Sequence, residues 1–150
     1  MWELGLSRPL KLARIRTRGH SNHGLTGIQL VFEGEIKSPI FDATGSKETK
    51  ERPFKDYDVR GKEFSAVQAR VFQSTFVYKL GLVETTKTMA EGAADFDITP
   101  EWSISGVLER REIPPNHSIV GMFGMIRNPK GSPRRITSFS FILVDNSRFN

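Results

Sequence analysis

Along this chain apolar residues recur at every second position more clearly than at helical spacing. The runs are LARIRTR, GIQLVFE, KDYDVRG, SAVQARVF, TFVYKLGLVET, EWSISGVLER, SIVGMFGMIR and ITSFSFILV. A strand sends alternate side chains to opposite faces, so each run predicts a half-buried β-strand. The best helical candidate is KEFSAVQARVFQ. There Val67, Ala69 and Val71 alternate with Gln68, Arg70 and Phe72, which again favours a strand. Turn-forming clusters separate the runs: HSNHG, ATGSK, AEGAAD, IPPNH and NPKGSP. Short strands punctuated in this way predict an all-β fold.

One apolar cadence returns three times: Leu25, Ile28, Leu30, then Val77, Leu80, Leu82, then Ile136, Phe139, Phe141. A second strand precedes each copy, so each pair reads as a hairpin. The connections GHSNHG, QST and NPKGSPRR differ in length. After the first and second hairpins, two further strands return the chain to the next one. A hairpin with two returning strands is a four-stranded Greek key. Such a unit cannot bury its apolar face alone, so three units must share one core, and the cadence residues are its predicted interior. The 150 residues suit one domain, 1–150.

With 37% apolar and 26% charged residues the composition is that of an ordinary folded domain. No apolar run approaches the roughly 20 residues needed to cross a bilayer. Zero cysteines leave no disulfide or thiolate site. With no signal-peptide pattern at the start, this favours a reducing compartment such as the cytoplasm, unless the chain is a piece of a larger or secreted protein. The net charge of +5 is mild and attracts anionic partners.

At this point the chain resembles the jacalin-related lectins over nearly its whole length. The opening WELG is similar to the family's start, and KLARIRTR with LTGIQLVFE to its first hairpin. EFSAVQARVFQSTFVYKLGLVETTK resembles the middle hairpin, and HSIVGMFGMIR with ITSFSFILV the closing one. The resemblance implies a β-prism I fold, three four-stranded Greek-key sheets with pseudo-threefold symmetry, and a non-catalytic carbohydrate-binding module. In the family a Gly-x-x-x-Asp loop of the closing hairpin binds the sugar. The aspartate's place is taken here by Thr137, and by Thr26 and Tyr78 in the other hairpins. The glycine's place is taken by Pro133, Asn22 and Ser74. Loss of the carboxylate removes a charge-assisted hydrogen bond, about twice as strong as a neutral one. The long third loop is basic, so an acidic glycan suits it. The candidate ligand residues are Arg127, Asn128, Lys130, Ser132, Arg134, Arg135 and Thr137, with Gln73, Ser74 and Tyr78 of the middle loop beside them.

Two other readings compete with sugar binding. The prism could serve as a protein-interaction domain of a larger assembly, or it could dock on an anionic membrane surface. For the membrane reading, Arg14, Arg16 and Arg18 project from one face of their strand as a basic stripe, and the basic 127–135 loop would join them. The simpler account of that stripe is a solvated face balanced by acids such as Glu33 and Glu35.

The remaining motifs carry little chemistry. His20 and His23 lie in a loop without a third ligand, so no metal or other cofactor is expected. Glu91, Asp95 and Asp97 read as a turn rather than paired catalytic carboxylates. No nucleophile or phosphate-loop motif is present, so no enzyme activity is expected. Most phenylalanines fall on apolar alternation, which places them in the core and argues against nucleic acid as a partner.

Overall fold

The structure is a computed structural model and describes residues 11–20, 24–42, 54–72, 76–85, 96–97, 107–127 and 135–149. These residues are almost entirely strand. In chain order they are β1 Leu12–His20, β2 Gly24–Phe32, β3 Ile36–Lys37, β4 Phe41–Asp42, β5 Lys55–Asp58, β6 Phe64–Phe72, β7 Phe76–Glu84, β8 Phe96–Asp97, β9 Val107–Glu112, β10 His117–Arg127 and β11 Arg135–Asp145. A short 3-10 turn, Asn146–Phe149, follows. The all-β expectation holds, and KEFSAVQARVFQ contains strand β6 rather than a helix.

The strands form three antiparallel sheets. The second has the order β8-β7-β6-β9, a Greek key in which the fourth strand returns beside the first. The first follows the same plan, β3-β2-β1-β5, with its third position split between β3 and β4, which both pair with β2. The split has a local cause at Ser38-Pro39. Proline cannot donate to a ladder. Ser38 fills the gap: its amide donates to the Leu30 carbonyl at 2.9 Å, and its hydroxyl accepts from the Leu30 amide at 3.0 Å. The third sheet shows the hairpin β10-β11 among the described residues.

The three hairpins share more than a sequence cadence. Each carries two register shifts at matching places. On the leading strand, Ala13, Ser65 and Val120 are the extra residues; on the returning strand they are Thr26, Tyr78 and Thr137. A bulge of this kind bends and twists its strand. The repeated pair gives all three hairpins the same curvature. The connections between the strands are 21–23, 73–75 and 128–134, so the first and second are equally short, contrary to the sequence reading, and the third alone is long.

The bend carries the cadence residues inward. β2, β7 and β11 pack against one another about a common axis. Leu25, Ile28, Leu30, Val77, Leu80, Leu82 and Ile136 are buried, and Phe139 and Phe141 pack against them. Ile15 of β1 and Ile119 of β10 join this core. Each such side chain contributes about 1.5–3 kcal/mol relative to leaving it in water. Phe41 of the first sheet reaches the third, edge-on to Phe139 with ring centroids 5.8 Å apart, and Phe139 in turn meets Phe141 at 5.1 Å. Among the described residues no helix is long and apolar enough to cross a membrane.

Candidate functional site

The hairpin end of the third sheet is where the sequence places the ligand. Asn128, Lys130, Ser132, Arg134, Gln73 and Ser74 lie outside the described residues, as do the WELG opening and the Ser21-Asn22-His23 part of the first turn. Tyr78 and Arg135 are placed by their backbone, in β7 and β11. Arg127 and Thr137 are described in full and sit together where the β10-β11 ladder ends.

Thr137 is the extra residue of its bulge, as Thr26 and Tyr78 are of theirs. The three positions compared with the lectin aspartate are therefore structurally equivalent. The hydroxyl of Thr137 donates to the Met125 carbonyl at 3.3 Å, and that of Thr26 to the equivalent Arg18 carbonyl at 3.1 Å. Both hydroxyls close the bulge, satisfying a carbonyl that the register shift frees. Thr26 is buried, whereas Thr137 is half-buried and its oxygen can still accept. Arg127 is exposed, and the polar contact it shows is to the Met125 sulfur at 4.0 Å. Its register partner is Arg135.

The arginine stripe of the first sheet is arranged differently. Arg14, Arg16 and Arg18 do share the outer face of β1, and acids from three other segments meet them. Arg14 pairs with Glu35 at 3.0 Å and with Asp56 at 3.5 Å. Arg16 Nε lies 2.9 Å from Asp56, and its guanidinium donates to Gln29 at 2.9 Å. Arg18 pairs with Asp42 at 2.9 Å. Phe54 covers the pair of inner arginines, with its ring centroid 4.9 Å from the Arg16 guanidinium carbon and 4.5 Å from that of Arg18. A Cβ at Gly27 would sit 3.4 Å from this ring, in van der Waals contact with it. The stripe is thus an internally compensated layer. Of the two acids named from sequence, Glu35 takes part.

A readable signal for the other acids existed in KDYD. Asp56 and Asp58 alternate with Tyr57, and the register sets Asp58 beside Arg14 and Asp56 beside Arg16. Phe54 and Asp42 had no such signal, because their partners lie far away in sequence.

A shallow cleft of about 290 Å³ occupies the opposite end of the first sheet, lined by Ala13, Phe32, Glu33, Gly34, Glu35 and Arg60. Its floor includes the tight turn in which Gly34 (φ 84°) and Glu35 (φ 60°) adopt left-handed conformations. For Glu35 this costs energy that glycine would not incur, and the ion pair with Arg14 offsets part of it. Among the described residues no group of three or more His, Cys, Asp or Glu is placed to hold a metal.

No protein-family model matches the chain, and no curated protein is similar enough in sequence to match. Among solved structures the chain is similar to that of a prostate-specific WGA16 glycoprotein lectin (crystal form II). The TM-score is 0.61 at 14% sequence identity, over 91% of this chain and 83% of that one. At that identity the likeness is one of fold: the chain has a lectin-like all-β architecture.

Proposed function

We propose that the chain is a non-catalytic carbohydrate-binding module whose site is the hairpin end of the third sheet, and that it favours acidic glycans. The observation that carries this reading is the end of the β10-β11 ladder. There Arg127 and Arg135 are register partners and Thr137 supplies the bulge, on a fold shared with a glycoprotein lectin. A guanidinium offers paired donors that match a carboxylate or sulfate, and such charge-assisted bonds replace what a loop aspartate would otherwise provide. The Thr137 oxygen accepts from a sugar hydroxyl. The two strands hold these groups on a rigid scaffold, which limits the ordering cost of binding.

The test is a glycan array containing uronate, sialylated and sulfated saccharides beside neutral ones. Binding concentrated on the acidic set, and weakened about tenfold or more by Arg127→Ala, is expected from the loss of a bond to a charged group, roughly 1.5–3 kcal/mol. An array on which no saccharide binds at millimolar affinity, or on which neutral sugars bind and Arg127→Ala changes nothing, defeats the reading.

A further inference from the structure

The outer face of the third sheet is unlike the other two. The shared bulge pattern makes Arg14, Arg16 and Arg18 of β1 equivalent to Gly121, Phe123 and Met125 of β10. It likewise makes Val31 of β2 equivalent to Ile142 of β11. Val31 is fully buried, whereas Ile142 is 44% exposed. Phe123 is 59% exposed and Met125 48%. The second sheet has Ala66 and Gln68 at the matching positions, both buried. Large apolar side chains thus stand in water on the outer face of the third sheet; among the other described residues Ile36 and Ile40, in the segment after β2, are exposed too, at 46% and 44%. Arg127, exposed and two places beyond Met125 on the same strand, borders this surface at the hairpin end, whereas Ile126, the ladder partner of the core residue Ile136, lies on the opposite face.

The charge around this face is one-sided. From His117 to Val144 the sequence holds no acid, although the whole chain has 17, and it holds four cations: Arg127, Lys130, Arg134 and Arg135. The acid nearest in sequence, Asp145, is at the other end of the sheet, where it accepts from the Ser147 amide and hydroxyl at 2.9 and 2.8 Å. Serines 138 and 140, partners of Met125 and Phe123, keep the ladder beside the apolar residues uncharged.

We infer that this face, Phe123, Met125 and Ile142 bordered by Arg127, docks on an anionic membrane surface. An interfacial site combines apolar side chains that enter the headgroup region with cations that meet acidic lipids. Both parts occur here in one continuous strip, and the chain as a whole is positive at +5. A second copy of the chain fits less well, since it brings the same acid-free, cation-bearing hairpin to the contact. The arginine stripe of the first sheet takes no part, because its charges are already answered by Glu35, Asp42 and Asp56.

The experiment is co-sedimentation of the full chain with vesicles of phosphatidylcholine alone and with about a third phosphatidylserine. Binding is expected on the anionic vesicles and should fall as salt rises. The double variant Phe123→Ser, Met125→Ser should lower the bound fraction severalfold, and so should Arg127→Glu. The thermal midpoint of the double variant should be unchanged, because its replaced side chains are exposed. Binding of soluble acidic saccharides should survive the double variant, which separates this surface from the proposed glycan site. Equal binding to neutral and anionic vesicles, or a double variant that sediments like the parent, overturns the inference. So does sedimentation-velocity evidence of a dimer that the double variant abolishes while vesicle binding persists, since the face would then belong to a second copy.

Discussion

The outer faces of the first and third sheets start from the same backbone and end as opposite surfaces. Both hairpins have bulges at matching positions, both direct their cadence residues to one core, and both present three alternating positions outward from the leading strand. In the first sheet those positions are arginines, and the chain folds Glu35, Asp42, Phe54 and Asp56 back over them. In the third they are Gly121, Phe123 and Met125, and they stay open. The comparison shows that charge in a sequence is a poor guide to where charge is available. Three arginines on one strand are consumed internally. Arg127, which borders the apolar face, has no acid between His117 and Val144 of its own hairpin. Function in such a repeat fold is set by what each unit adds to a shared frame.

The comparison fails first if the frame is not shared. Leu30 and Leu82 are equivalent buried core residues, 0% exposed in both cases. Leu30→Ala and Leu82→Ala should each cost about 2–5 kcal/mol in denaturant unfolding. A small loss for either would mean that its sheet does not reach the common core.

Gly124 tests the packing between the two sheets being compared. A Cβ there would overlap the Ser138 carbonyl oxygen and approach Phe41, which comes from the first sheet, at 3.1 Å. Gly124→Ala should destabilise by about 1–3 kcal/mol as backbone shifts to make room. A neutral result would show that Phe41 is not seated against β10.

A smaller effect separates the two outer faces. The Arg18 side chain is 11% exposed and lies between Asp42 and Phe54. Arg18→Ala should cost roughly 1–2 kcal/mol, from lost packing and from an acid left without its partner. Arg14, whose partner Glu35 is largely in water, should matter less, within about 1 kcal/mol and shrinking with added salt. At the bottom of the scale, Phe123→Ser should change stability by no more than about 0.5 kcal/mol. A large loss there would show that the face is covered rather than open.

Much of the frame was legible in the sequence, for a physical reason. A strand buried on one face writes its inward residues at every second place, and a bulge adds one residue at a fixed point. The spacing of Leu25, Ile28, Leu30 therefore encodes both the strand and its bend. The two-residue strands β3, β4 and β8 are too short to show any period. Asp56 was readable from the alternation in KDYD, whereas Asp42 and Phe54 come from later segments with no period to place them against the arginines. The open face was hidden for another reason. In SIVGMFGMIR apolar residues occupy both parities: Met122 packs on the core while Phe123 and Met125 point away from it. Alternation cannot say which side is inside, and Phe123 is exposed. At the candidate ligand site, the sequence indicated the equivalence of Thr26, Tyr78 and Thr137, but not that two of their hydroxyls close bulges.

The most direct measurement is residue-resolved: an amide-nitrogen NMR titration of the full chain with a sulfated disaccharide. Recognition at the end of the third hairpin predicts saturable shifts at Arg127, Arg135 and Thr137, with the equivalent first-hairpin amides of His20, Gly24 and Thr26 unmoved. Shifts of equal size at both hairpin ends, or none at the third while another surface responds, would contradict it.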